Sequence, residues 1–257
     1  MEKGRSPVQS IDRLFDIIEA LSGTPRGLAL NELSASVGLH ASTTHRLLTA
    51  LAARGYVNKD IESGKYRLTM RLFEVGSRVV GGMNLVSLAR PYLKHLAAIT
   101  NEAIHLVVRN GDEVVYLYKE DLGDSSMRMA SFVGLRTPMY CTAVGKSILS
   151  RLPESEVAAI WRRTVITRFT PNTIVDYADL IADPVTARQN GWAADREEHE
   201  LGVTCIGAPL LDLRGAPFGA ISVSMPTARL NPQRETLLSG AVCSCAEAIT
   251  GLMGKTG

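Results

Sequence analysis

The sequence predicts an α+β fold, in which a small helical unit precedes a larger unit of antiparallel strands and helices. Three observations support this prediction. Apart from a short hairpin near residues 56–68, apolar residues up to about residue 100 recur with the 3.6-residue period of helices. From Glu102 the period changes to two, on either side of the hairpin turn Asn110-Gly111-Asp112. Residues 232–253 then return to a helical pattern.

The N-terminal unit is predicted to contain a helix-turn-helix. The stretch LHASTTHRLLTALAARGYV, residues 39–57, carries one apolar stripe at helical spacing: Thr44, Leu47, Leu48 and Leu51. A short helix before it is expected to be capped by Asn31 and to stop at Gly38. Two short helices joined by a tight turn containing Gly are typical of this motif. An earlier helix, capped by Ser10, would complete a three-helix core.

The polar face of the second helix supplies the candidate DNA contacts, namely Ser42, Thr43, His45 and Arg46. A narrow helix with such a face fits the DNA major groove, which is about 12 Å wide. An ordinary solvated helix face is the alternative interpretation.

Strands Tyr56–Lys59 and Lys65–Leu68 are predicted to pair as a hairpin, the wing of a winged helix. Lys65 and Arg67 point the same way on their strand and can meet phosphate. They can equally be charges that protect a solvated edge strand.

Composition limits the classes of protein that the chain can be. The net charge is only +2, but residues 1–80 hold 11 Lys/Arg against 8 Asp/Glu, whereas the remainder holds 17 against 18. The positive excess therefore lies with the helix-turn-helix. We see no run of 18 apolar residues and no apolar leader, so we expect a cytoplasmic protein with no membrane partner. The four cysteines lack zinc spacing, and we predict reduced thiols and neither a metal nor a cofactor.

The remaining elements follow from the same patterns. A linker helix over residues 69–83 carries an apolar stripe that needs a partner: Leu72, Val75 and Val79. We predict further helices over residues 84–100, 143–151, 153–161, 177–190 and 232–253. We predict strands over residues 103–109, 113–119, 127–133, 204–212 and 218–225.

Two motifs in the second unit suggest chemistry. Gly145-Lys146-Ser147 looks like the end of a P-loop, but Tyr140 stands where that motif needs Gly, which argues against nucleotide binding. The turn at residues 140–144 would instead offer free N–H groups at a helix N-terminus, which attracts a carboxylate. Ser222 and Ser224 share one face of an apolar strand and can line a polar pocket or be satisfied core serines.

The acidic run Asp195-Arg196-Glu197-Glu198-His199-Glu200 is typical of a solvated loop. A metal site is the second interpretation, but no second His follows at helical spacing. A hydrolase using Cys205, His199 and Glu198 is the third, and it lacks a matching local motif.

The whole chain resembles the IclR family of bacterial transcriptional regulators. Three N-terminal stretches carry the resemblance, VQSIDRLFDIIEAL, LHASTTHRLL and GKYRLT, together with GWAADREEHELGVTCIGAPLLD at residues 191–212. The resemblance implies a winged helix-turn-helix domain over residues 8–68, a linker helix over 69–83, and a GAF-like (profilin-like) effector domain over 84–254.

By the same resemblance, a small organic acid is the effector. It would be held by residues corresponding to Met139, Ala143, Val144, Asp195, Cys205, Ser222 and Ser224. The run from Arg128 to Lys146 is most similar to the sugar-acid branch, which includes ketodeoxygluconate repressors. We therefore expect a homodimeric or homotetrameric repressor that binds double-stranded operator DNA and is released by a sugar-derived acid. An activator of the same family and an enzyme built on the C-terminal domain are the alternatives.

Overall fold

The computed structural model describes residues 8–82, 85–121 and 131–253, and the chain forms two compact units that divide after Gly82. Within these ranges, no helix is long and apolar enough to cross a membrane. The mixture of helices with antiparallel strands is the predicted α+β class. The domain limits at residues 68, 83 and 84 stay predictions, since compactness alone groups the linker helix with the first unit.

The first unit is a three-helix bundle with a two-stranded wing. Its elements are α1 (Gln9–Ser22), α2 (Leu30–Ser36), α3 (Ala41–Ala53), β1 (Val57–Lys59), β2 (Tyr66–Leu68) and α4 (Arg71–Gly82). The two strands are antiparallel, as predicted. The helices enclose a small apolar core with contributions from all three and from the wing: Ile17, Leu21, Leu33, Leu48, Leu51, Val57 and Tyr66.

Both helix caps predicted for this unit are wrong. Ser10 and Asn31 each lie inside the first turn of their helix, because α1 begins after Val8 and α2 after Ala29. At α2 the Glu32 carboxylate accepts the Ala29 backbone N–H at 2.8 Å. A carboxylate in the first turn thus satisfies the donor that precedes the helix, and the Asn side chain is not required there.

The second unit is built on one antiparallel sheet of six strands in the order β5-β4-β3-β8-β7-β6. The strands are β3 (Ala103–Asn110), β4 (Glu113–Glu120), β5 (Arg136–Pro138), β6 (Ala193–Arg196), β7 (Val203–Leu211) and β8 (Pro217–Pro226). The helices are α5 (Leu85–Thr100), α6 (Ala143–Leu149), α7 (Glu154–Arg163), α8 (Tyr177–Asn190) and α9 (Pro232–Met253). The hairpin predicted at residues 110–112 is present, with Gly111 at φ 67°.

Each face of the sheet has its own core. Helices α5 and α9 pack on one face, where strand residues such as Ile104, Ile206 and Val223 are fully buried. Helix α6 packs on the other face, in a second core that it shares with α7 and α8. Because side chains alternate along a strand, the residues next to these, such as His105, Cys205 and Ser222, point toward α6.

One strand prediction and one loop prediction in this unit are corrected. The strand expected at residues 127–133 has its first four residues outside the described ranges, and residues 131–133 are not a strand. Among the described residues, the strand that follows them is β5, which pairs with β4. Asp195, assigned to an acidic loop, lies instead in the edge strand β6 and pairs with Cys205. Its polar side chain is tolerated on a strand because that face opens into a cavity rather than the apolar core.

Candidate functional sites

Helix α3 presents a polar face to solvent. Thr44, Leu48 and Leu51 are buried against the rest of the first unit, while Ser42, His45 and Arg46 are exposed. Thr43 is half-buried beside them. Arg46 has no hydrogen bond or ion pair with any residue that the structure describes. Its guanidinium is thus available to a base or a phosphate.

The two cations of the wing are differently placed. Lys65 Nζ lies 4.0 Å from a Glu32 carboxylate oxygen. The Arg67 Nε donates to the Arg26 carbonyl at 3.2 Å, and its terminal nitrogen lies 3.8 Å from Asp60. Arg67 is packed closely enough that a Cβ at Gly27 would lie 2.6 Å from its Cγ. Both wing cations are engaged within the unit, which distinguishes them from Arg46.

A cavity of about 500 Å³, its open mouth included, lies on the α6 face of the second unit. Most of the residues predicted to bind an effector line it: Ala143, Val144, Asp195, Cys205, Ser222 and Ser224. Met139 is not among the described lining residues. Its side chain packs in the core shared with α7 and α8 and is 1% exposed, and its backbone contacts Gly145 in the first turn of α6.

Strand register explains why these residues meet. Asp195, Cys205 and Ser224 are neighbours across β6, β7 and β8. The next row along the same face brings Gly207 opposite Ser222, which in turn pairs with His105 of β3. Residues far apart in the chain therefore form one polar patch.

The N-terminus of α6 forms one wall of the cavity. The Thr142 hydroxyl accepts the Gly145 N–H at 3.2 Å, and its carbonyl accepts the Lys146 N–H at 2.8 Å. The Ala143 and Val144 N–H groups have no partner within the described part of the chain. Two unpaired N–H groups at the positive end of a helix can bind a carboxylate.

Two glycines make this wall possible. A Cβ at Gly145 would lie 2.3 Å from the backbone of Met139, so at this residue the turn packs on the preceding segment of the chain. Contact with the sheet comes through Gly207, where a Cβ would lie 3.0 Å from the Val144 nitrogen. Any larger side chain at either position would displace the Ala143 and Val144 N–H groups.

His105 forms the floor of the cavity and was missed by the sequence analysis. Its Nδ1 lies 3.3 Å from the Ser224 hydroxyl and 3.5 Å from that of Ser222, and its Nε2 lies 2.8 Å from the Ser131 hydroxyl. Burial, with a smaller contribution from the Lys119 charge, lowers the pKa of His105 to about 4. The imidazole is therefore neutral at physiological pH and can both donate and accept. The only signal for His105 in the sequence was its position two residues from both Ala103 and Val107, on the same face of the predicted strand.

Asp195 is the buried carboxyl of the cavity and is 3% exposed. Its Oδ1 accepts the Glu198 backbone N–H at 2.7 Å. Burial, together with the nearby Glu198 charge, raises the pKa of Asp195 to about 7. The group therefore exchanges a proton close to neutral pH and can present either a donor or an acceptor to a ligand.

The thiol of Cys205 lies beside this carboxyl. Burial, followed by the Asp195 charge, raises the pKa of Cys205 well above its usual range. The four cysteines of the chain are all free thiols, as expected. Among the described residues, no group of His, Cys, Asp and Glu is arranged to hold a metal ion.

Lys146 is buried directly behind the cavity. Its ammonium lies 2.5 Å from an Asp183 carboxylate oxygen and also hydrogen-bonds Glu198. Burial alone would lower the pKa of Lys146, but the charges of Glu198 and Asp183 more than offset it and raise the pKa. In the sequence Lys146 belongs to an incomplete P-loop motif, whereas in the structure it forms an internal ion pair.

Comparison with known proteins identifies both units. Residues 10–60 match the model of the IclR helix-turn-helix domain, and residues 77–251 match that of the bacterial transcriptional regulator IclR C-terminal domain. The chain is 35% identical over 250 residues to the DNA-binding transcriptional repressor YiaJ of Escherichia coli (strain K12), covering 96% of this chain and 89% of that one. It is 34% identical over 254 residues to the HTH-type transcriptional regulator KdgR of the same organism, covering 99% and 96%. The crystal structure of the Thermotoga maritima IclR superposes with a TM-score of 0.82 at 28% identity, covering 95% and 98%.

Proposed function

The chain belongs to the IclR family of DNA-binding transcriptional regulators, and from that premise we propose that it is a repressor released by a small organic acid. The observation that carries the proposal is the polar cavity against α6, in which two free N–H groups face buried hydroxyls and a carboxyl. The proteins named YiaJ and KdgR, similar over nearly the whole chain, favour a repressor over an activator.

DNA recognition is assigned to helix α3. Arg46 would read or approach the operator, with Ser42, Thr43 and His45 beside it. The wing cations Lys65 and Arg67 would make weaker phosphate contacts, because each already has a partner within the unit. A two-fold dimer places two such helices in major grooves about 34–36 Å apart, so the operator would be pseudo-palindromic.

The effector is proposed to be a sugar-derived acid. Its carboxylate would bind the Ala143 and Val144 N–H groups, where the end of the helix favours an anion. Its hydroxyl or keto groups would meet Ser222, Ser224 and Asp195, which can donate and accept. Cys205 would supply an apolar wall with a weak donor.

A two-part experiment tests this proposal. Duplexes that bind the protein are selected from a random pool, and affinity is measured by fluorescence anisotropy at one fixed salt concentration. Thermal-shift measurements with glyoxylate, pyruvate, D-gluconate, D-glucuronate and 2-keto-3-deoxy-D-gluconate then identify ligands, since an acid at 100 times its Kd adds about 2.7 kcal/mol of stability. A stabilising acid that lowers affinity for the selected duplex supports a repressor. An acid that raises this affinity, or the absence of binding by every acid, overturns the proposal.

A homodimer or homotetramer is the assembly that we propose. Large apolar side chains are exposed on α1 and at the start of α4, among them Phe15 at 55%, Met70 at 68% and Phe73 at 66%. Of the predicted linker stripe, Leu72 is half-buried and Val75 exposed, whereas the Val79 side chain lies outside the described residues. Exposed apolar surface on these helices favours burial against a second copy.

Sedimentation of the full chain tests this assembly. Phe73→Glu should weaken self-association, whereas Leu213→Glu, at an exposed residue in the turn between β7 and β8, should not. A wild-type monomer at micromolar concentration would contradict the assembly.

We assign no catalytic activity to the cavity and place the protein in the cytoplasm, with its DNA. The protonated state of the Cys205 thiol supports the absence of a nucleophile. Incubation with the five acids, followed by product analysis, tests this, and turnover of any one of them would contradict it.

A further inference from the structure

Lys146 is unusual among the side chains of this protein. It is 1% exposed, although it carries a charge that normally stays in water. It lies one turn into α6, the helix whose first N–H groups face the cavity. A cation in this position is stable only with compensating carboxylates, and Asp183 and Glu198 provide them.

Glu198 links this cation to the wall of the cavity. It is itself buried, at 5% exposure. Its Oε1 accepts from Lys146 and from the Arg196 N–H, while its own backbone N–H donates to Asp195. One ion pair and one hydrogen bond therefore connect helix α6 to the Asp195 carboxyl.

The turn that carries Glu198 is held on its outer side as well. Thr170 donates to the Glu197 carbonyl and Thr173 to the Glu198 carbonyl, each at 2.6 Å. Glu197 has φ 61° and accepts the Gly202 N–H at 2.9 Å. The second oxygen of Glu198, Oε2, is buried and has no partner within the described residues. Lys146 is therefore the cation on which the charge of this carboxylate depends.

We propose that Lys146 is a positioning residue of the effector cavity, which through Glu198 fixes the Asp195 carboxyl relative to the first turn of α6. This inference rests on the proposed function, since the cavity is the proposed effector site. Lys146 does not line that cavity and acts through Glu198 on Asp195, which does line it. The alternative is that the ion pair only stabilises the fold.

Hydrogen exchange tests the positioning without any ligand. Lys146→Met removes the charge at similar volume, and Arg109→Met, which removes the Arg109–Glu156 ion pair elsewhere in the same unit, is the control. Because Lys146→Met leaves a buried carboxylate unpaired, the double variant Lys146→Met/Glu198→Gln is made alongside it. We expect faster exchange at residues 143–149 and 195–203 in both Lys146 variants and not in the control. Wild-type exchange in the folded double variant would overturn the proposal.

Acid affinity supplies a readout that a loss of stability alone does not change. With the acid that binds the wild type most tightly in the panel above, we expect about tenfold or greater loss of affinity in both Lys146 variants, at unchanged affinity for the selected duplex.

The two hypotheses fail in different ways. If no acid of the panel binds the wild type, the proposed function fails, and hydrogen exchange still decides the role of Lys146. If acids bind the wild type and the folded double variant equally well, the proposed function stands and the role of Lys146 is refuted.

Discussion

The surface of α3 and the cavity against α6 are built in opposite ways. The α3 surface comes from one continuous stretch of sequence, and its central cation, Arg46, is exposed and has no partner among the described residues. The cavity combines side chains from β3, β6, β7, β8 and α6, and its Asp195 and His105 are buried and held by neighbours. The first is a local arrangement and the second depends on the whole sheet. We therefore expect the two sites to respond differently to mutation and to pH.

The largest effect should come from the glycine beneath the cavity wall. In Gly145→Ala the new methyl group would lie 2.3 Å from the Met139 backbone, and we expect a loss of about 3 kcal/mol or more in the free energy of unfolding. Urea denaturation followed by Trp fluorescence measures this, because Trp161 and Trp192 both lie in the second unit. Gly240→Ala, in α9 with open space around it, is the matched control and should stabilise by about 0.5–1 kcal/mol. Equal stability of both variants would show that the α6 turn yields easily.

Arg46→Ala should weaken operator binding without affecting the cavity. If Arg46 reads a guanine, the loss should be about 1–3 kcal/mol and confined to the selected duplex. If it contacts only phosphate, affinity for all sequences should fall together and the dependence on salt should become shallower. Lys65→Ala, which removes a cation already near Glu32, should cost less. Unchanged affinity of Arg46→Ala for both selected and random DNA would remove α3 from the interface.

Asp195→Ala tests whether the two sites are coupled. We expect normal operator affinity and loss of release by the acid, because the variant keeps the DNA-binding state and loses a coupling of typically about 1–3 kcal/mol. Operator affinity with and without the acid measures it. If Asp195 only orders the turn at Glu198, the variant will be less stable but the acid will still release it fully from the operator. The assignment of Asp195 to the effector site is then incorrect.

The pH dependence of stability should separate the buried carboxyl from the exposed face. The folded protein holds a proton on Asp195 up to a pKa of about 7, whereas the unfolded chain loses it near 3.8. The folded state thus binds more protons in this range, and its stability relative to Asp195→Asn should fall as pH rises from about 4 to about 7. The lowered pKa of His105 gives stability the opposite dependence on pH, but this contribution is common to both proteins and cancels in the difference. Parallel unfolding curves at all pH values would contradict the raised pKa.

The smallest effect is expected for Ser222→Ala. One neutral hydrogen bond to the acid is worth about 0.5–1.5 kcal/mol, and His105 retains Ser224 as a neighbour. Acid titration at constant protein concentration measures the change. Ser239→Ala, a buried serine of α9 outside the cavity, should leave acid affinity unchanged. If Ser222→Ala loses as much acid affinity as Asp195→Ala does, then Ser224 does not share with Ser222 the role of binding the acid.

The two regions also differ in how far the sequence predicted them. Helix α3, the wing and the turn at Gly111 were predicted because each depends on neighbours within about ten residues. The local hydrophobic period and the turn residues indicate such neighbours. The resemblance to a known family supplied the residues of the cavity. The residues alone supplied only Ser222 and Ser224 and the free N–H groups near Val144.

What the sequence missed depends on distant partners. Nothing in the local pattern shows that His105 faces Ser222, which lies 117 residues later, or that Lys146 meets Glu198. Met139 was placed in the cavity by resemblance, yet its side chain packs into the core. Sheet register decides these positions, and register is set by the packing of both faces.

A receptor must also return its ligand chemically unchanged, and the environment of Cys205 has a consequence for that requirement. Keto acids and aldehyde acids carry an electrophilic carbon that a thiolate attacks. In this cavity burial keeps the thiol protonated, and a protonated thiol is a poor nucleophile. If the cavity binds such an acid as proposed, the sulfur would pack against its carbonyl without forming a bond to it, and occupancy would follow the concentration of free acid and reverse when that concentration falls.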